Sequence, residues 1–171
     1  MRRNFKWTEE IKQIPDRDTL VWLYKKYVLD CPVPGVSNRG HDFKQLQWAG
    51  SKQKKLCRLL MNRSSLTNST WLALDKKDEL INQLASNNVL QAYEVNQEFA
   101  YYYKANNSKA SGLFYLIRNA LAHGSFHFHR CAKGDCLAFE TTRSGQIRGR
   151  ALIRIESLRT WRYILNNADK Y

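Results

Sequence analysis

The spacing of apolar residues changes once along this chain, at Gly124, and that change limits the folds open to it. Before Gly124 the apolar residues recur every three or four positions, the mark of helices with one buried face. Leu20, Leu23, Tyr24, Tyr27 and Val28 form one stripe, with Asp16 or Asp18 placed to cap it. Cys31-Pro32-Val33-Pro34-Gly35 stops that helix and opens a loop to about His41. A short helix is expected at Phe43, Leu46 and Trp48, and another, capped by Ser51, carries Leu56, Leu59 and Leu60. A polar loop follows over 62–70. The helical pattern resumes from about Asp75 to Lys104, through Leu80, Ile81, Leu84, Val89, Tyr93 and Phe99 to Tyr103, with a break or kink at Ser86-Asn87-Asn88. Upstream of all these, Thr8-Glu9-Glu10 reads as a short capped turn ended by Pro15.

The last helix before the change starts at Asn107 or Ser108 and carries Leu113, Leu116, Ile117, Ala120 and Leu121, with Gly124 where a C-terminal glycine belongs. Beyond it, Phe126-His127-Phe128-His129 alternates, Lys133-Gly134-Asp135 suits a hairpin turn, and Cys136-Leu137-Ala138-Phe139-Glu140 reads as a strand. After a second turn at Ser144-Gly145, Ile147 to Ile155 sets Ile147, Gly149, Ala151, Ile153 and Ile155 on one face, and Arg148, Arg150 and Arg154 on the other. Leu158, Trp161, Ile164 and Leu165 mark a final helix. The expected fold is mainly α: one domain over 1–171, a helical bundle over about 8–124, then a small antiparallel sheet and a final helix over about 125–171.

The chain has 171 residues and 43% hydrophobic content, enough for one domain with its own core. No apolar run reaches the ~20 residues of a membrane span, and Met1-Arg2-Arg3-Asn4-Phe5-Lys6-Trp7 lacks the apolar stretch of a secretory signal. A cytoplasmic protein that does not engage membranes is expected. Cys31, Cys57, Cys131 and Cys136 are too few for a disulfide framework, and Cys57, among leucines, reads as a buried thiol. The formal net charge is +13, which favours a polyanionic partner, nucleic acid first; an acidic protein partner is the alternative.

Against that basic background stands Ile117-Arg118-Asn119-Ala120-Leu121-Ala122-His123-Gly124. Spacing alone carries no weight, since with four His chance supplies about one Arg–His pair at such a separation. At ~100° per residue, Asn119 and His123 share a helix face, so Asn119 can hydrogen-bond the imidazole and fix its tautomer. Arg118 lies ~140° round from His123, so a second copy of the site, or a frayed helix end, is needed to aim both groups at one atom. A histidine in a last helical turn also suits the helix dipole, and from the residues alone that plain helix-end reading stands level with catalysis.

The same octet, closing a late helix of a small basic domain, resembles the HEPN (higher eukaryotes and prokaryotes nucleotide-binding) superfamily, and the strand-rich segment after it resembles a plasmid-associated subfamily of prokaryotic defence and toxin systems. The resemblance is specific over about residues 113–126 and follows helical order from Thr8 to Gly124. It implies an up-and-down bundle of four to five helices, a homodimer whose paired motifs form a basic cleft, and RNA cleavage without metal or cofactor. Arg118 and His123 would be catalytic and Asn119 supporting. Some toxin members carry, two residues after the histidine, a tyrosine that a partner antitoxin modifies; Ser125 stands there in this chain, which argues against that modification and leaves cleavage untouched.

The chemistry such groups perform is attack by the RNA 2′-hydroxyl. His123 takes its proton or protonates the leaving 5′-oxygen, and Arg118 holds the charge growing on the phosphate. Around this centre, His127, His129, Arg148, Arg150 and Arg154, with Arg143, are candidate RNA contacts, and Arg159 and Arg162 can extend the arginine face. Tyr101-Tyr102-Tyr103 can stack bases or belong to the core. His127, His129, Cys131 and Cys136 could complete a tetrahedral zinc site, but the cysteine spacing is looser than a zinc knuckle's, and an exposed hairpin face is the better reading. The expected function is a metal-independent endoribonuclease yielding a 2′,3′-cyclic phosphate, a toxin or anti-phage effector with an antitoxin or regulatory partner. The alternatives are a non-catalytic HEPN module binding RNA or a protein, and a structural subunit matched to an acidic partner.

Overall fold

The computed structural model describes residues 16–37, 39–86, 97–104, 106–131 and 133–171. The turn expected at Thr8-Glu9-Glu10 and the helical continuation through Val89 and Tyr93 lie outside the described residues.

A five-stranded mixed sheet runs through the protein, in the order β1-β2-β5-β4-β3. Its strands are β1 (Trp71–Leu74), β2 (Glu98–Tyr102), β3 (Phe126–Cys131), β4 (Gly134–Arg143) and β5 (Gln146–Arg154). β1 and β2 are parallel and every other pairing is antiparallel. The helices are α1 (Arg17–Leu23), which runs on as a π-helical stretch over Tyr24–Leu29, then α2 (Lys52–Arg63), α3 (Lys77–Ser86), α4 (Lys109–Ala122) and α5 (Ile155–Asn166). This is an α/β architecture and corrects the mainly-α bundle expected from periodicity. The sheet is not confined to the chain beyond Gly124, because β1 and β2 join it from within the stretch read as helical.

The reason for the misreading is physical. Ala100 and Tyr101 are both fully buried, on opposite faces of β2. A strand covered on both faces shows a continuous apolar run, which periodicity cannot separate from a buried helix. Trp71–Leu74 is four apolar residues behind a polar loop, too short to show a period.

The register sorts the sheet's two faces. Trp71, Tyr101, Leu137, Phe139, Ala151 and Ile153 face the main core, which the α1 segment, α2, α4 and α5 cover. Leu72, Leu74, Ala100 and Tyr102 face the other way, onto Leu80 and Leu84 of α3. Three rings anchor the main core by backbone hydrogen bonds across long stretches of chain. Trp48 Nε1 donates to Leu165 O (2.9 Å), Trp161 Nε1 to Leu60 O (3.1 Å) and Tyr27 Oη to Leu158 O (2.7 Å).

Beyond Gly124 the expected strands, the turn at Ser144-Gly145 and the final helix are present, with two adjustments. The first hairpin turns one residue early, so Gly134 already pairs with Cys131. The pairing of β4 with β5 slips between Thr141 and Thr142, opposite Arg148, and Ile147 consequently packs against the Leu80–Ala100 cluster and not beside Ala151 and Ile153. The helix expected at Phe43–Trp48 is a single turn. Asp42 and Gln45 cap it reciprocally, each main-chain N–H donating to the other's side chain at 2.8 Å, but Gln47 at φ +65° ends it at once. Cys57, expected buried, is half-buried against the core.

Candidate functional site

α4 has a buried face and a polar line, and the polar line is the floor of a groove. Ser108 caps the helix by accepting from Ser111 N (3.0 Å). Leu113, Phe114, Leu116, Ile117, Ala120 and Leu121 enter the core. The end is a Schellman closure: Ser125 N donates to Ala120 O (2.9 Å), Gly124 N to Leu121 O (3.3 Å), and Gly124 takes φ +68°. Tyr24 Oη donates to Leu121 O (2.7 Å), tying the α1 segment to this end. The helix end that presents His123 is therefore formed and not frayed.

Asn107, Ser111, Tyr115, Asn119 and His123 succeed one another at four-residue spacing along the groove, whose volume is about 1140 Å³. Arg118 and His123, ~140° apart around the helix, both line this groove. The expected partnership of Asn119 with the imidazole is replaced. Asn119 Oδ1 accepts from Arg118 Nη1 (3.0 Å), and among the described residues no side-chain hydrogen bond reaches the His123 ring, which is exposed. Asn119 therefore orients the guanidinium.

The far wall comes from the sheet. The end of β4 and the start of β5 supply Arg143 and Arg148, α3 opens with Lys77, and Lys104 follows β2. With Arg118 these are five lysines and arginines, and among the described residues no aspartate or glutamate lines the groove. None of the five is in an ion pair among the described residues. Two instead crowd an aromatic ring: Arg148 Cζ lies 5.5 Å and Lys77 Nζ 5.8 Å from the centre of Tyr102. The Nε atoms of Arg118 and Arg148 are buried without a hydrogen-bond partner among the described residues. A buried unsatisfied donor costs on the order of 1–3 kcal/mol.

No protein-family model, curated protein or solved structure matches the chain. Its own residues carry the functional reading.

The remaining candidates separate. Phe126 and Phe128 turn into the core, which places His127 and His129 on the opposite face of the edge strand β3; neither lines the groove, and His127 is buried. Arg150 is paired with Glu140 (Nε to Oε2, 2.5 Å) and Arg154 lies off the groove, so Arg148 alone of the β5 arginines lines it, together with Arg143. Arg162 is buried, donates to Asp30 O (3.2 Å) and serves the core; burial lowers its pKa. Arg159 stacks over Trp22, 4.9 Å from the ring centre. Among the described residues no cluster of three His, Cys, Asp or Glu comes together, and the Cys131 side chain lies outside what is described. Of the three consecutive tyrosines, Tyr101 is core, while Tyr102 and Tyr103 line the groove. Lys77, Lys104 and Tyr115 were not singled out in the sequence. Tyr115 alone had a local signal, standing four residues before Asn119 on the polar side of the α4 stripe. No helix among the described residues is long and apolar enough to cross a membrane.

Proposed function

We propose that this groove is the active site of a metal-independent endoribonuclease of the HEPN kind, a toxin or anti-phage effector acting on cytoplasmic RNA. The observation that carries the reading is that Arg118 and His123 open into one groove with five cations that, among the described residues, no carboxylate pairs. The proposed kinship rests on the octet at 117–124, since the bundle that the resemblance implied gives way to the five-stranded sheet.

A phosphodiester placed against Arg118 has its charge met by a guanidinium held by Asn119. His123, exposed at the helix end, accepts the proton of the 2′-hydroxyl, and the 2′-oxygen attacks phosphorus as the 5′-oxygen leaves. Arg118 stabilises the charge that grows on the phosphoryl oxygens. Among the described residues the groove offers one imidazole and neither carboxylate nor thiol, a poor ligand set for a catalytic divalent ion. Base and acid are both needed in one turnover, and a homodimer in which a second groove supplies the second imidazole meets that need.

A second reading, a non-catalytic module that binds RNA or a partner protein, is favoured by one observation: no side chain among the described residues orients the His123 ring. Total RNA incubated with wild type, His123→Ala and Arg118→Ala, with and without EDTA, decides between them. Wild type is expected to cleave in EDTA, and Arg118→Ala to lose about a hundredfold or more, on the order of 3 kcal/mol. Equal cleavage by wild type and His123→Ala, or a requirement for metal, overturns the catalytic reading.

A further inference from the structure

Among the described residues, Tyr115 is the large aromatic of the groove that the fold does not use. The residue is 45% exposed. Among the described residues its hydroxyl makes no hydrogen bond and its ring no aromatic or cation contact. The contrast with the other tyrosines is sharp: Tyr24, Tyr27 and Tyr101 each donate to a backbone carbonyl, and Tyr102 lies under Arg148 and Lys77. An aromatic ring left in water costs burial free energy that packing would recover. Here the ring stands in a groove with five cations that no carboxylate pairs among the described residues.

Its position says what would cover it. Tyr115 is three residues before Arg118 and four before Asn119, and both are its neighbours on the helix surface. The rise from Tyr115 to Asn119 is about 6 Å, and to His123 about 12 Å. A phosphate held at Arg118 therefore places the adjoining nucleotide over the Tyr115 ring. A flat, uncharged face beside a phosphate clamp matches a nucleobase with its face uncovered. Inside a duplex both faces of a base are occupied by its neighbours, whereas in a single strand the base is free to stack on protein.

We propose that Tyr115 is the base-stacking subsite of this groove and selects single-stranded RNA, seating the base next to the phosphate held by Arg118. The proposal rests on the reading of the groove as an RNA site, and its test is chosen to fail separately from cleavage. The probe is a short fluorescein-labelled RNA without self-complementarity, and the same RNA annealed to its complement. The host is the His123→Ala protein, so that no cleavage intervenes. Tyr115→Ala is expected to bind the single strand about tenfold more weakly, and Tyr115→Phe, which keeps the ring face, as the host does. The salt dependence of binding is expected to stay unchanged in Tyr115→Ala, because no charge is removed; a collapsed groove would alter it. An abasic nucleotide next to the held phosphate is expected to reproduce the loss, and combined with Tyr115→Ala to add nothing further. Unchanged affinity in Tyr115→Ala, or duplex bound as tightly as single strand, overturns the proposal even where wild type cleaves RNA. Failure of the host to bind RNA at all overturns it together with the groove's assignment.

Discussion

Replacing Arg143 by alanine should flatten the salt dependence of RNA binding by an amount the groove itself sets. Each cation that neutralises a phosphate releases condensed counter-ions, and for single strands the log–log slope of affinity against salt is about −0.7 per contact. Five lysines and arginines line the groove and none is ion-paired among the described residues. If each meets one phosphate the slope is about −3.5, so affinity falls about a hundredfold between 50 and 200 mM salt. With Arg143 removed the slope becomes about −2.8 and the same change costs about fiftyfold. Arg150 is the internal control: it is equally cationic, but its charge is committed to Glu140 and it does not line the groove. Fluorescence anisotropy of a labelled single-stranded RNA, titrated in the His123→Ala background across a salt series, reads both slopes. A slope that Arg143→Ala leaves unchanged, or that Arg150→Ala lowers by as much, refutes the assignment of the groove as the phosphate track.

Three further expectations concern the scaffold. A Cβ on Gly149 would meet Leu116 Cδ1 at 2.5 Å and Tyr101 Cβ at 3.0 Å, so Gly149→Ala should overpack the contact of α4 with the sheet by about 1–3 kcal/mol, seen as a lower midpoint in thermal unfolding. Gly124→Ala meets no atom within 4 Å, so its cost is backbone alone, about 1 kcal/mol for a left-handed residue; a loss well beyond that in chemical denaturation would contradict the open space seen there. Burial pushes the Cys57 thiol up to about 11, so its thiolate is scarce at neutral pH; iodoacetamide should modify it roughly a hundredfold more slowly than an unperturbed thiol, the rate rising as pH approaches 11.

What could be read in advance follows a physical line. Elements with a regular stripe, a cap or flanking turn residues announced themselves: α4 through its stripe, cap and terminal glycine, and β3 to α5 through alternation and turn residues, although β4 and β5 are buried on both faces at Leu137, Ala138, Ala151 and Leu152. β2 did not, because both its faces are covered and its apolar run carries no period. With β2 hidden and β1 too short to signal, the mixed sheet was hidden as well, and the fold class with it. The site divides the same way. Arg118, Asn119 and His123 are local to one helix end and were legible, although their pairing was not: a guanidinium one residue away reaches the Asn119 oxygen, and the imidazole one turn on does not. Lys77, Lys104 and Arg148 converge from three separate elements. Only the sheet order brings them together, and the bulge opposite Arg148 separates it from Arg150 and Arg154, with which strict alternation had grouped it.

The central claim, cleavage of RNA by its own 2′-hydroxyl with His123 moving the proton, meets its most direct test in the product ends. A defined RNA cleaved in EDTA by wild type and by His123→Ala, with a matched substrate bearing a single 2′-deoxynucleotide at the mapped scissile position, should be resolved by mass spectrometry. Wild type is expected to yield a 2′,3′-cyclic phosphate and no cut at the deoxy position, and His123→Ala to leave the RNA intact. A 5′-phosphate product, or cleavage at the deoxy position, would contradict the claim.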